Sequence, residues 1–123
     1  MRRLGTYRRG AVVITGTILI GAAGAVTSFV CEAVDSSTGI VKTASKTGRY
    51  TVTFLRKYKS VRVCSMELIG PADAALTATD GNDLFIRNLT GTGFDIQARQ
   101  TSYADANPAS GNSIHFTVEA QLL

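Results

Sequence analysis

Ile114-His115-Phe116-Thr117-Val118-Glu119-Ala120-Gln121-Leu122 alternates apolar and polar side chains without a break. Successive side chains of an extended chain point to opposite faces, so Ile114, Phe116, Val118, Ala120 and Leu122 share one face and His115, Thr117, Glu119 and Gln121 the other. That is a strand with one buried side, and a slip of one residue in its pairing would invert it. The same period recurs upstream, where Tyr50, Val52 and Phe54 alternate with Thr51 and Thr53. Further runs at 12–20, 26–34, 39–43, 61–69, 84–89 and 94–101 join 49–55 and 114–122 as predicted strands. Turn residues separate them: 35–39, Thr47-Gly48, Gly70-Pro71, Asp80-Gly81, 91–93 and 107–111. Helical spacing is nearly absent, and only residues 71–79, with Ala72, Ala74, Ala75 and Leu76, predict a short helical turn. The expected fold class is therefore all-β, a single antiparallel β-sandwich or jelly-roll-like domain over residues 11–123.

The 123 residues are enough for one core without a disulfide framework or structural metal. Charged residues make up only 18% and glycine is abundant at twelve, a balance that favours turns over solvated helices. The net charge of +4 is localised, because Arg2, Arg3, Arg8 and Arg9 stand together with no acid among them. Setting them aside leaves nine basic and nine acidic residues, so the body is electrically balanced. Residues 1–10 thus read as an extended basic N-terminal arm. It reads equally as a solvated tail or as a grip, its arginine pairs around Tyr7 making bidentate contacts to phosphate or to carboxylates of a protein partner; with the protein partner preferred of the two ligands, Arg2, Arg3, Tyr7, Arg8 and Arg9 are the candidate partner-binding residues. Nucleic acid is disfavoured, since a reader would carry its basic stripe on the body and more than one aromatic in the arm. The weakly polar run at 11–26 has the layout of a secretory signal, but Thr15, Gly16, Thr17, Gly21 and Gly24 dilute it. It is too short to span a bilayer as a helix and its β-branched residues favour a strand. The reading taken is a strand that stays attached, with no membrane segment. Its first part, Ala11 to Ile20, is long, apolar and barely charged, and is expected to form a sheet edge covered by a second copy or another protein.

The motifs that would carry chemistry are incomplete. Cys31 and Cys64 lie far apart in sequence with no metal-finger spacing, and either free thiols or one disulfide fits the count, free thiols being favoured. The single histidine, His115, falls on the polar face of its strand, away from a thiol on the core side. Lys46-Thr47-Gly48 matches one element of penicillin-recognising serine enzymes, yet no Ser-x-x-Lys occurs, so it reads as a turn. Gly16 to Gly21 has phosphate-loop spacing without the lysine that would neutralise phosphate. Asp80, Asn82 and Asp83 resemble the start of a calcium loop whose closing acid is replaced by Gly91. Asn88-Leu89-Thr90 is a glycosylation sequon with meaning only in a secretory pathway, and Arg56-Lys57-Tyr58-Lys59 reads as a solvated turn. No catalytic residue, metal, cofactor or small-molecule substrate is assigned, and no enzyme is expected.

Gly21-Ala22-Ala23-Gly24-Ala25-Val26, then Thr47-Gly48-Arg49-Tyr50-Thr51-Val52-Thr53-Phe54-Leu55 and Tyr58, and finally Asp105-Ala106-Asn107-Pro108-Ala109-Ser110-Gly111 before a terminal strand resemble a pattern of small tailed-bacteriophage virion proteins. The resemblance extends over about four-fifths of the chain and is carried by structural motifs. It implies a capsid decoration, or cement, protein: a β-sandwich made in the host cytoplasm that binds the major capsid protein on the outside of the head. It also implies self-association at local symmetry axes, with a trimer as the family's example. The arginine run is not part of that pattern. Tail-tube, neck and fibre-base roles stay open beside it. A competing class is a secreted or periplasmic β-sandwich binding module, with a Cys31–Cys64 disulfide and its first twenty-five residues removed.

Overall fold

The computed structural model describes residues 10–33, 38–42, 46–54, 56–70 and 80–123. The alternating runs become β1 (Ala11–Ile20), β2 (Val26–Ala33), β3 (Thr38–Lys42), β4 (Arg49–Phe54), β5 (Ser60–Ile69), β6 (Asp83–Thr90), β7 (Gly93–Arg99) and β8 (Ser113–Gln121). They form two four-stranded antiparallel sheets, the first in the order β2-β1-β8-β5 and the second in the order β3-β4-β7-β6. The result is the all-β sandwich that the alternation predicts. The β1–β2, β3–β4 and β6–β7 pairs are hairpins within a sheet, and the other connections pass from one layer to the other.

Alternation sets what is buried. Along β8, Ile114, Phe116, Val118 and Ala120 point inward while His115, Thr117 and Glu119 face out. Ile14, Ile18 and Ile20 of β1 join them, and Tyr50, Val52, Phe54, Phe94 and Ile96 come from the facing sheet. Phe94 meets Phe116 edge-on across the layers, with centroids 5.4 Å apart at 89°, and Tyr58 meets Phe54 at 5.5 Å and 81°. Each such pair contributes about 0.5–1.5 kcal/mol beyond its buried area. Tyr58 is thus part of the core, although the 56–59 segment reads in sequence as a solvated turn; its N–H donates to the Gly91 carbonyl. Arg56, Lys57 and Lys59 around it are exposed as expected.

The expectation that β1 lies at a sheet edge is overturned. It pairs with β2 on one side and with β8 on the other, and the edges are β2 and β5 in one sheet and β3 and β6 in the other. The physical reason is that its low polarity reflects burial of one face together with ladder bonds on both sides, so its length carries no information about neighbours. Its central place also bears on the exported-module alternative. Removing the first twenty-five residues would take out a middle strand of the first sheet. The predicted arm meets the body at Gly10, whose carbonyl accepts the Leu122 N–H at 2.7 Å. Arg2, Arg3, Tyr7, Arg8 and Arg9, and the helical turn expected at 71–79, lie outside the described residues.

Tyr50 places its hydroxyl inside the sandwich and donates to the Gly24 carbonyl at 2.6 Å, tying the β1–β2 turn to β4. Burial pushes its phenol well above the ordinary tyrosine range. An acid whose folded pKa is raised keeps its proton when the unfolded chain loses its own, so the folded state binds more protons above about pH 10 and stability falls there. Tyr50→Phe should remove this contribution. Urea midpoints of the two proteins followed from pH 8 to 11 are expected to converge as the pH rises, with the wild type losing the more.

Candidate functional site

At one end of the sandwich the β1–β2 turn, the β3–β4 turn, the start of β6 and the long β7–β8 connection converge, and hydrogen bonds knit them together. Asn107 is the centre of the arrangement. Its side-chain Oδ1 accepts the Gly48 N–H at 2.8 Å and its carbonyl accepts the Gly81 N–H at 2.8 Å. The Gly48 carbonyl in turn accepts the Ala98 N–H at 2.8 Å. The 105–111 stretch is therefore a structural clasp, and Lys46-Thr47-Gly48 is a turn feeding β4.

Beside this end, the outer face of the second sheet carries a row in which Arg49, Gln97 and Phe85 lie opposite one another on β4, β7 and β6. Gln97 occupies an outward position yet is fully buried. Its amide donates to the Thr47 carbonyl at 3.0 Å and the Ala98 carbonyl at 2.9 Å, and its Oε1 accepts from Arg49 Nε at 2.8 Å. These bonds satisfy the buried amide and hold Arg49 by its Nε. One step along β7, Arg99 Nε donates to Asp105 Oδ1 at 3.2 Å and its guanidinium lies 5.3 Å from the centre of the Phe85 ring. In the next row on the other side, Asp95 accepts from Thr51 Oγ1 at 2.9 Å and from Asn88 Nδ2 at 2.8 Å. The sequon asparagine thus spends its amide on the sheet surface.

The two guanidinium groups are oriented by their Nε ends, which is the pre-organisation that makes arginine effective toward carboxylates and carbonyls. Tyr103, 68% exposed, stands on the adjoining turn. None of Arg49, Phe85, Arg99 and Tyr103 was singled out by the sequence as a site residue. The signal that existed was the pairing of Arg99 with Asp105 across a short polar loop; the row of Arg49, Gln97 and Phe85 depends on register between distant strands.

The outer face of the first sheet has a different character. Thr15 and Thr17 of β1 lie opposite Thr117 and His115 of β8, and Glu67 and Arg62 of β5 lie opposite His115 and Glu119. Arg62 and Glu119 form an exposed ion pair at 3.1 Å, which contributes little to stability. His115 faces outward as expected, its Nε2 3.5 Å from Ser113 Oγ. Cys31 is half-buried on β2 and Cys64 is exposed on β5, at opposite edges of this sheet, and both are free. Three strand spacings separate those edges, about 14 Å, whereas a disulfide holds its Cα atoms within about 7 Å. In the intact fold the two cysteines are therefore too far apart to bond. Gly16, the start of the phosphate-loop spacing, is a buried strand position under the Phe116 ring. Among the described residues no group of three His, Cys, Asp or Glu side chains converges, and no helix is long and apolar enough to cross a membrane.

Comparison of the chain with protein-family models, curated proteins and solved structures finds no match.

Proposed function

We propose that this protein is a structural component of a bacteriophage particle, a capsid decoration protein that binds the major capsid protein on the outside of the head and bridges neighbouring shell subunits. The observation that carries the reading is the clasped end of the sandwich: the motifs resembling decoration proteins build a rigid platform, and beside it Tyr103, Phe85, Arg49 and Arg99 are displayed. A rigid domain bearing aromatic and arginine side chains on one surface loses little conformational entropy on docking. Bound only to the assembled shell, it would stabilise that shell by mass action. Several modest contacts, each on the order of 800 Å² per partner, would add through avidity if copies associate on the lattice. The basic arm, with Arg2, Arg3, Tyr7, Arg8 and Arg9, supplies a further contact to the capsid or a sister copy in this reading.

Reconstruction of intact particles by electron microscopy tests it. The expected result is a two-layer β density on the head exterior that fits this sandwich and is missing from particles made without the gene, which should also rupture at a lower temperature. Density on the tail or neck, or absence of the chain from purified particles, would overturn the assignment.

A further inference from the structure

Tyr103 is held in a backbone conformation that tyrosine avoids. Its φ of 71° lies in the left-handed region, where a side chain with a Cβ costs about 1–2 kcal/mol and where glycine or asparagine is the usual occupant. The turn around it is nevertheless closed on both sides. The Tyr103 N–H donates to the Gln100 carbonyl at 2.9 Å and the Gln100 N–H to the Ala104 carbonyl at 2.8 Å. Arg99 and Asp105 form a backbone bridge at the base, reinforced by their side-chain ion pair at 3.2 Å. The Ala106 N–H adds a bond to the Ala98 carbonyl at 3.2 Å. Ser102 Oγ donates to Gln100 Oε1 at 3.1 Å, so the polar side chains of the turn bond to each other. The ring itself takes no part in the aromatic contacts that join Phe29, Phe54, Tyr58, Phe94 and Phe116. The main-chain bonds of Gln100, Tyr103 and Ala104 are those of a three-residue loop, a type I turn whose last residue takes the left-handed region and is usually glycine. The turn accounts for the backbone angle but not for a tyrosine there, and strained positions of this kind cluster where a side chain meets a ligand.

The neighbours define what kind of ligand. Arg99 is stacked on Phe85, which is itself 37% exposed, and the guanidinium keeps its terminal nitrogens for an acceptor beyond the ion pair with Asp105. Tyrosine, phenylalanine and arginine are the side chains enriched in protein–protein contacts and among their energetic anchors. A tyrosine next to a serine on a loop at the end of a β-sandwich, with an arginine at its base, shares its main contact residues with antibody loops that bind proteins. A phosphate backbone fits poorly, because Asp105 and Asp83, which pairs with Arg99 across the strands, cancel the positive field it requires.

We infer that the 99–105 turn, with Tyr103 at its tip and Phe85 and Arg99 at its base, is the principal docking contact of this sandwich with a partner protein. The tyrosine ring enters an apolar pocket of the partner and Arg99, its charge already balanced by Asp105 and Asp83, donates to a main-chain carbonyl at the rim. The partner's identity as the shell rests on the proposed function; the docking contact does not.

The decisive variant is Tyr103→Gly in the full chain, because it relieves the backbone and removes the ring at once. Its thermal midpoint is expected to stay level or rise by a few degrees. Its affinity for undecorated shells, purified from particles made without the gene, is expected to fall about thirtyfold or more, the scale of an anchor residue. Tyr103→Phe, which keeps the ring, should lose less than tenfold. A drop in the midpoint with glycine would make the ring a structural prop and overturn the inference, as would unchanged shell binding. Should the wild-type chain not bind shells, a photoreactive benzophenone side chain at position 103 in the producing cells separates the two readings. A single adduct protein whose purified form binds wild type and not Tyr103→Gly upholds the docking turn while sinking the decoration reading. The absence of any such protein sinks the docking turn.

Discussion

Gly16→Ala is expected to destabilise the protein by about 3 kcal/mol or more, the upper range for overpacking a closed core. A Cβ built at Gly16 would lie 2.3 Å from the Cζ of Phe116 and within 3 Å of two further ring atoms. Position 16 faces inward on a central strand, directly opposite Phe116 in the β1–β8 pairing, and the ring closes over the space the glycine leaves. Phe116 cannot swing aside, because Phe94 abuts it edge-on at 5.4 Å and Phe29 stacks on its other side at 6.3 Å. The test is a double-mutant cycle in urea. Phe116→Leu alone should also destabilise, since it removes ring contacts with both layers. Combined with Gly16→Ala, however, it should cost less than the sum of the two single changes, with a coupling of about 1–3 kcal/mol. Strict additivity would show that the ring does not occupy the notch.

That pair illustrates how far the sequence carries. The buried face of β8 and of β4 was readable because each keeps strict alternation from end to end, and one core-facing residue then fixes all the others. β5 obeys the same rule only in two halves. A bulge between Val63 and Ser65 inserts Cys64, so Val61 and Val63 before it and Met66 and Leu68 after it face the core although their spacing changes phase. Period two also says nothing about which strands are neighbours, and for that reason β1 read as an edge when it is central. Gln97 is the opposite failure: alternation assigns it outward, correctly, but the Thr47 carbonyl and Arg49 arrive from a strand and turn some fifty residues away and bury it. The docking turn was invisible for a related reason. Nothing in Gln100-Thr101-Ser102-Tyr103-Ala104-Asp105 distinguishes a strained, fastened display of tyrosine from an ordinary polar loop until the backbone angles and the bonds at its base are known. The basic arm, by contrast, stands out in composition alone, and its residues lie outside those the structure describes.

Gly48→Ala should be at least as damaging, and its failure would have a different cause. Gly48 has a φ of 70°, and a Cβ there would come within 2.3 Å of the Ala106 carbonyl oxygen and 2.9 Å of the Ala98 carbonyl oxygen. The obstacles are main-chain atoms rather than a side chain able to change rotamer. The left-handed backbone adds about 1 kcal/mol or more for any residue with a Cβ. Moving away from the carbonyls would lengthen the bonds that Gly48 makes to Asn107 Oδ1 and to the Ala98 N–H, leaving buried main-chain groups unpaired at about 1–3 kcal/mol each. Gly81 presses against the same Ala106 carbonyl and Gly24 against the Asn107 side chain, so the clasp has no slack on its other sides. A total loss above about 3 kcal/mol is expected, visible as a fall in the urea midpoint. Asn107→Ala tests the same clasp without overpacking: it removes the acceptor of the Gly48 N–H and should cost about 1–3 kcal/mol. Because the 99–105 turn is anchored through Ala98 and Ala106, both variants should also speed hydrogen exchange at Gln100, Tyr103 and Ala106. If those amides remained as protected as in the wild type, the clasp and the display of Tyr103 would be independent features of the fold.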